Sequence, residues 1–131
     1  MNEPLIYIAS YRVKPGLLEA ARGRLREIAE LVEEREPQLS AFHFYLDEPR
    51  QRVITVQVHP DADSMATHMA VIAEHLSTAW EELEIDGALR IACGTPPEVM
   101  LAYDLEFGLE LETYATHVAG FTRGVAAGSR A

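Results

Sequence analysis

Residues 5–13 read LIYIASYRV, a run of β-branched and aromatic side chains that specifies a strand. Side chains alternate along a strand, so Leu5, Tyr7, Ala9, Tyr11 and Val13 share one face while Ile6 and Ile8 point the other way. Both faces are largely apolar. A sheet built around such a strand needs a cover on each side, and no other feature limits the available folds as much.

The order of elements narrows the choice. Lys14-Pro15-Gly16 is a turn, and from Leu17 to about Glu34 the positions Leu18, Ala21, Leu25, Ile28, Ala29 and Val32 recur at helical spacing, with Pro37 just beyond. Ser40 to Asp47 and Arg52 to His59 both alternate, and Asp47-Glu48-Pro49-Arg50 between them predicts a hairpin. A second helix is expected from Asp61, a suitable N-cap, with Met65, Met69, Ile72 and Leu76 on one stripe. It should break at Ser77-Thr78, where Thr78 and Glu81 can cap a short helix holding Trp80 and Leu83. Asp86-Gly87 reads as a turn and Ala88 to Cys93 as a fourth strand. Thr95-Pro96-Pro97-Glu98 combines a capping box with proline at a helix start; that helix runs to Phe107, and Leu109 to His117 forms a half-exposed strand.

The resulting β-α-β-β-α-β, followed by α-β, predicts an α+β fold: a ferredoxin-like, split βαβ antiparallel sheet with helices on one face. Residues 1–123 are read as one domain, with a core over 5–95, a helix-strand extension over 96–118 and a flexible tail over 124–131. Two helices hide one face only. An identical sheet can close the other, giving a homodimer; alternatively the C-terminal helix and strand fold across it within one chain.

Twenty-one acidic against eleven basic side chains give a net charge of −10, which argues against nucleic acid and anionic membrane as partners. No apolar run approaches the roughly 18 residues of a membrane span. The start Met1-Asn2-Glu3-Pro4 lacks a secretory pattern, and the single Cys93 cannot form an internal disulfide, so a cytoplasmic protein is expected. There is no GxGxxG, CxxC or HExxH, so no nucleotide, iron–sulfur or zinc-protease reading arises.

The segment Arg52 to His75 carries a family resemblance. RVITVQVHP runs into DADSMATHM, with one histidine deep in the helix; the VKPG turn at Val13 to Gly16 and the helix end Glu36-Pro37 add to it. The chain resembles the antibiotic biosynthesis monooxygenase-like family of dimeric α+β barrels. That resemblance implies a pocket between sheet and helices, oxidation of phenols or quinols by dioxygen without a cofactor, and His68 at the family's helix-histidine position. Where the family places a glutamate and a tryptophan at the end of the third strand, this chain has Gln57 and His59. The late stretch CGTPPEV…AGFTRG is similar to a less characterised branch of the same superfamily.

Candidate site residues follow. His68, one turn before Ile72, can border a pocket and take a proton from a phenolic hydroxyl, with Gln57 and His59 assisting; the plain alternative is a core-margin histidine bonded to a carbonyl. His43 and Tyr45 are grouped with Gln57 and His59 as a polar set opposite Phe42, Phe44, Ile54, Val56 and Val58, either substrate-binding or simply outward-facing. Trp80 plugs the helix break or stacks on an aromatic ligand. His75, a further substrate-binding candidate, lies on the same face two helical turns, about 10 Å, beyond His68, too far for the two to share a metal, and no metal or cofactor is expected. The function read from these residues is a cofactor-independent monooxygenase of small aromatics. A dimeric binding protein without catalysis is the alternative, and haem binding is a weaker one, because LIYIASYRV lacks the asparagine expected on the first strand.

Overall fold

A computed structural model describes residues 3–74 and 76–123. The anticipated strand at the N-terminus, β1 (Leu5–Val13), is followed by helix α1 (Leu18–Arg35), whose buried residues Ala21, Leu25, Ile28 and Val32 form a single stripe. Strands β2 (Ala41–Asp47) and β3 (Arg52–His59) form the hairpin. The turn is held by the Asp47 carboxylate accepting from the Arg50 backbone N–H, and Gln51 takes a left-handed φ of 52°. Helix α2 (Ala62–Ala73) starts at Asp61, whose side chain accepts from the Ser64 N–H at 2.9 Å, as an N-cap does. A four-residue helix α3 (Leu76–Ala79), strand β4 (Leu83–Cys93), helix α4 (Glu98–Glu106) and strand β5 (Glu112–Tyr114) complete the order.

The sheet runs β2-β3-β1-β4-β5, and its first four strands are antiparallel in the ferredoxin-like arrangement. Four details differ from the sequence reading. The break after α2 comes before Leu76, so Ser77 and Thr78 lie within α3 and Trp80 just beyond it. Leu83 opens β4 instead of closing a helix, and Asp86-Gly87 lies inside that strand as an irregularity. The pairing jumps from Ala9↔Arg90 to Tyr11↔Ile85, and Asp86 stabilises the excursion by accepting from the Ser10 hydroxyl and the Ala88 N–H. Thr95 does not cap α4, which begins after Pro97 with no side-chain cap. The last strand is three exposed residues pairing parallel to β4, far shorter than the stretch Leu109 to His117. Gly94, between β4 and α4, has φ 110°, and a Cβ there would meet the Pro4 carbonyl oxygen at 2.7 Å, so only glycine fits.

Helices α1, α2 and α4 pack on one face of the sheet. Met65 of α2 and Met100 of α4 join Leu5, Tyr7, Ala9 and Ala92, while Ala21 and Leu25 of α1 join Val13, Val53 and Leu83. The C-terminal helix therefore covers the side already covered by helices. On the opposite face Ile6, Ile8, Ile54, Val56, Val58 and Ile91 stay half-buried, and none of them belongs to a core cluster. The segment after β5 does not shelter them: Val118 and Phe121 are 89% and 79% exposed. No described helix is long and apolar enough to cross a membrane. The expected tail over 124–131 falls outside the described residues.

Candidate functional site

Between the helices and the sheet lies a cavity of about 160 Å³. A dry cavity of roughly 150 Å³ takes benzene, so this one has the size for a single aromatic ring. Its walls are mainly apolar: Ile28, Phe42, Phe44, Met65, Met69, Ile72, Trp80 and Met100, with Tyr7, Tyr11 and Tyr103. His68, Gln57, Thr55 and Arg90 supply the polar spots.

The period-2 pattern of the strands decides who faces the cavity. Phe42 pairs with Gln57 and Phe44 with Thr55, so these four share the helix-covered face. His43 pairs with Val56 and Tyr45 with Ile54, which turns both away from the cavity; Tyr45 is 60% exposed. Grouping His43 and Tyr45 with Gln57 and His59 is thereby corrected. The residues were sorted by polarity, but the hairpin register sets the aromatic side of β2 against the polar side of β3.

His68 reaches the cavity from α2, where it is 5% exposed. Its Nδ1 lies 2.8 and 3.0 Å from the two carboxylate oxygens of Glu36, the fully buried residue that ends α1. A carboxylate only accepts, so Nδ1 carries the hydrogen, and in the neutral ring Nε2 then holds the lone pair that a ligand can donate to. A base and its orienting carboxylate have this geometry in general-base catalysis. Glu36 entered the sequence reading only as a helix end before Pro37. Its spacing, four residues after Val32 on the apolar stripe of α1, was the available signal for its burial, though not for its partner.

His59 is completely buried and does not line the cavity. Its Nε2 lies 2.9 Å from Gln57 Oε1 and its Nδ1 2.8 Å from Ser64 Oγ. Burial, with the nearby His68, pushes its pKa down to about 3, so the ring is neutral. It cannot deliver or collect a proton at the ligand itself; it sits behind Gln57. This revises the sequence reading of His59 as a catalytic acid or base.

Trp80 forms part of the wall, its ring centroid 6.0 Å from that of Tyr11, and the Lys14 ammonium donates to its carbonyl. His75 falls outside the described residues. Tyr7 and Tyr11, which the sequence places only on one face of the first strand, both line the cavity; burial raises the pKa of each, to about 12 for Tyr11. The sequence reading passed over Arg90 on β4, whose Nη2 donates to Asp104 of α4, both about nine-tenths buried or more. Arg90 Nε and Asp104 Oδ2 have no protein partner. Among the described residues no group of three or more His, Cys, Asp or Glu is placed to hold a metal.

Fold and site together define a ferredoxin-like α+β protein with a ring-sized cavity between sheet and helices, bordered by a buried histidine–glutamate pair. Solved structures share this fold. MupZ from Pseudomonas fluorescens aligns over 95% of this chain and 98% of its own, with a TM-score of 0.74 and 19% identity. A protein provisionally titled an antibiotic biosynthesis monooxygenase, from Bacteroides thetaiotaomicron, aligns over 72% of this chain and 90% of its own (TM-score 0.57, 14% identity). Another so titled, from Chloroflexus aurantiacus, gives 72% and 93% (TM-score 0.55, 13% identity). The sequence matches no protein-family profile and no curated protein. At these identities the likeness is one of fold.

Proposed function

We propose that this chain is an enzyme that binds a small aromatic, phenolic or quinol molecule in the cavity and uses His68 as the base that starts its oxidation by dioxygen. The observation that carries the reading is the His68 imidazole, buried at a ring-sized cavity with Nδ1 held by Glu36. Taking the phenolic proton on Nε2 gives an electron-rich anion that dioxygen attacks, and the nearby carboxylate stabilises the imidazolium that forms. For a simple phenol the balance is phenol plus dioxygen to quinone plus water. Two neighbours of the same fold carry the name antibiotic biosynthesis monooxygenase, which supports the choice of oxidation among reactions that begin with proton loss.

The working unit in this proposal is a homodimer closed through the uncovered sheet face, with one cavity inside each chain. Oxygen uptake with a panel of phenols and hydroquinones is the test. His68→Ala should lower turnover by about 10² or more, the usual weight of a general base. Glu36→Gln, which keeps an oxygen able to accept from Nδ1, should lower it by about tenfold because the imidazolium loses its counter-charge. Full turnover in His68→Ala would sink the assignment.

One observation favours a second reading, a binding protein without catalysis. At the end of β3, Gln57 and His59 are bonded to each other, and the position occupied by His59 presents nothing to the cavity. That protein would bind single-ring aromatics saturably while consuming no oxygen with any of them.

A further inference from the structure

The hydrogen bonds behind Gln57 run in one direction. The Gln57 amide oxygen can only accept, so His59 Nε2 carries the ring hydrogen and donates to it at 2.9 Å. The ring being neutral, His59 Nδ1 must accept, and its partner at 2.8 Å is the Ser64 hydroxyl. Gln38 Nε2 reaches Ser64 Oγ and Glu36 Oε1, each at 3.5 Å, and as an amide nitrogen it can only donate to both. With its oxygen committed to His59, the Gln57 amide must turn its NH2 the other way, towards Thr55 Oγ1 at 3.4 Å; Gln57 and Thr55 both line the cavity. One of the two N–H groups serves Thr55, and the second remains for a ligand.

We infer that Gln57 is a fixed N–H donor for the anionic oxygen that forms on the ligand, and that His59, held as the Nε2–H tautomer between Gln57 and a Ser64 hydroxyl that donates to its Nδ1, is the positioning residue that keeps the amide from flipping. The two histidines then have opposite tasks and opposite tautomers. His68 is protonated on Nδ1 and offers an acceptor to the ligand hydroxyl; His59 is protonated on Nε2 and turns its neighbour into a donor. The cavity is thus lined by both an acceptor and a donor, as suits a hydroxyl that loses its proton and becomes an oxyanion in place. Preorganisation explains why a buried polar chain is kept beneath an apolar cavity: rigid donors cost no reorganisation when charge develops.

This inference rests on the cavity being a site for phenolic molecules, and the test separates the two. The probes are 4-nitrophenol, whose anion absorbs visible light, and 4-nitrotoluene, the same ring without the hydroxyl. At a pH where the free probe is ionised, Gln57→Leu should weaken 4-nitrophenol binding by roughly tenfold or more, the weight of a hydrogen bond to a charged group. Its affinity for 4-nitrotoluene should stay within about twofold. Ser64→Ala should shift the same ratio in the same direction, and Ser64→Thr, which keeps the hydroxyl, should restore it. Nitrogen NMR of the imidazoles in the wild-type protein should show His59 as the Nε2–H tautomer. Equal loss for both probes in Gln57→Leu, no loss for either, or an Nδ1–H tautomer at His59 overturns the inference while the cavity reading stands. Failure of both probes to bind the wild-type protein overturns both.

Discussion

His59 is a basic group kept entirely out of water, and that has a consequence for the whole protein's acid stability. Its pKa in the folded state is depressed to about 3 against 6.5 for the free side chain. Between those values the unfolded chain binds a proton that the folded chain refuses, so stability rises with pH through that window and falls as pH drops from about 6.5 towards 3. The expected slope from this one residue is on the order of 1 kcal/mol per pH unit between pH 6 and 4. Urea midpoints taken across that range should show it, and His59→Gln, which cannot ionise, should flatten it; an unchanged slope would mean that other groups dominate. The sequence made His59 and His68 look alike, two histidines at the edges of apolar runs. What distinguishes them lies outside any local window: Glu36, 32 residues before His68, and Ser64, five residues after His59 and turned back onto it by the start of α2. A buried glutamate runs against the ordinary expectation for its residue type, which is why Glu36 was read as a helix end and not as a partner.

At the scale of elements, periodicity was a good guide wherever an amphipathic stripe met a single core. The stripe on α1 reappears as buried Ala21, Leu25, Ile28 and Val32, with Leu18 and Ala29 half-buried, and β3 alternates as expected, although its buried side is Val53, Thr55, Gln57 and His59 and not Ile54, Val56 and Val58. It misled where the backbone breaks its own period. In β4 the irregular residues around Asp86-Gly87 looked like the end of one element and the beginning of another, because their hydrogen bonds go to Ser10, remote in sequence. Helix α4 could be recognised, but not its position over the cavity, since that depends on the buried pair of Arg90 and Asp104. That pair is the polar link between α4 and the sheet, while Met100 and Tyr103 beside it close the cavity wall. Asp104→Ala leaves the Arg90 guanidinium buried without a counter-ion and should destabilise the fold by about 3 kcal/mol, read from chemical denaturation. The double variant Arg90→Met with Asp104→Leu should recover much of that loss, because the pair must first overcome the cost of dehydrating both charges. A single variant as stable as the wild type would show that α4 is held by its apolar contacts alone.

For the molecule as a whole, the sheet has two apolar faces and helices on only one. The first strand already implied this through Ile6 and Ile8, and the structure extends the uncovered face across three strands with Ile54, Val56, Val58 and Ile91. The sequence left two ways to cover it. The position of α4 argues against one of them, because Met100 and Asp104 are buried on the helix side, and the described residues after β5 are exposed. A second copy of the chain is then the simplest cover, since a two-fold pairing of identical sheets hides both faces at once. Such a pairing brings together two chains of net charge −10, so self-repulsion must oppose it. Two consequences can be read by sedimentation. Dimer affinity should rise as salt is increased from about 0.01 to 0.15 M, because the Debye length falls from roughly 30 to 8 Å over that range. Ile8→Arg together with Val56→Arg should yield monomers, since each face would then place cations against its own image. The cavity lies on the other side of the sheet, so these variants should still bind 4-nitrotoluene. A wild-type chain that stays monomeric at high concentration and high salt would refute the pairing and leave the half-buried face to a different partner.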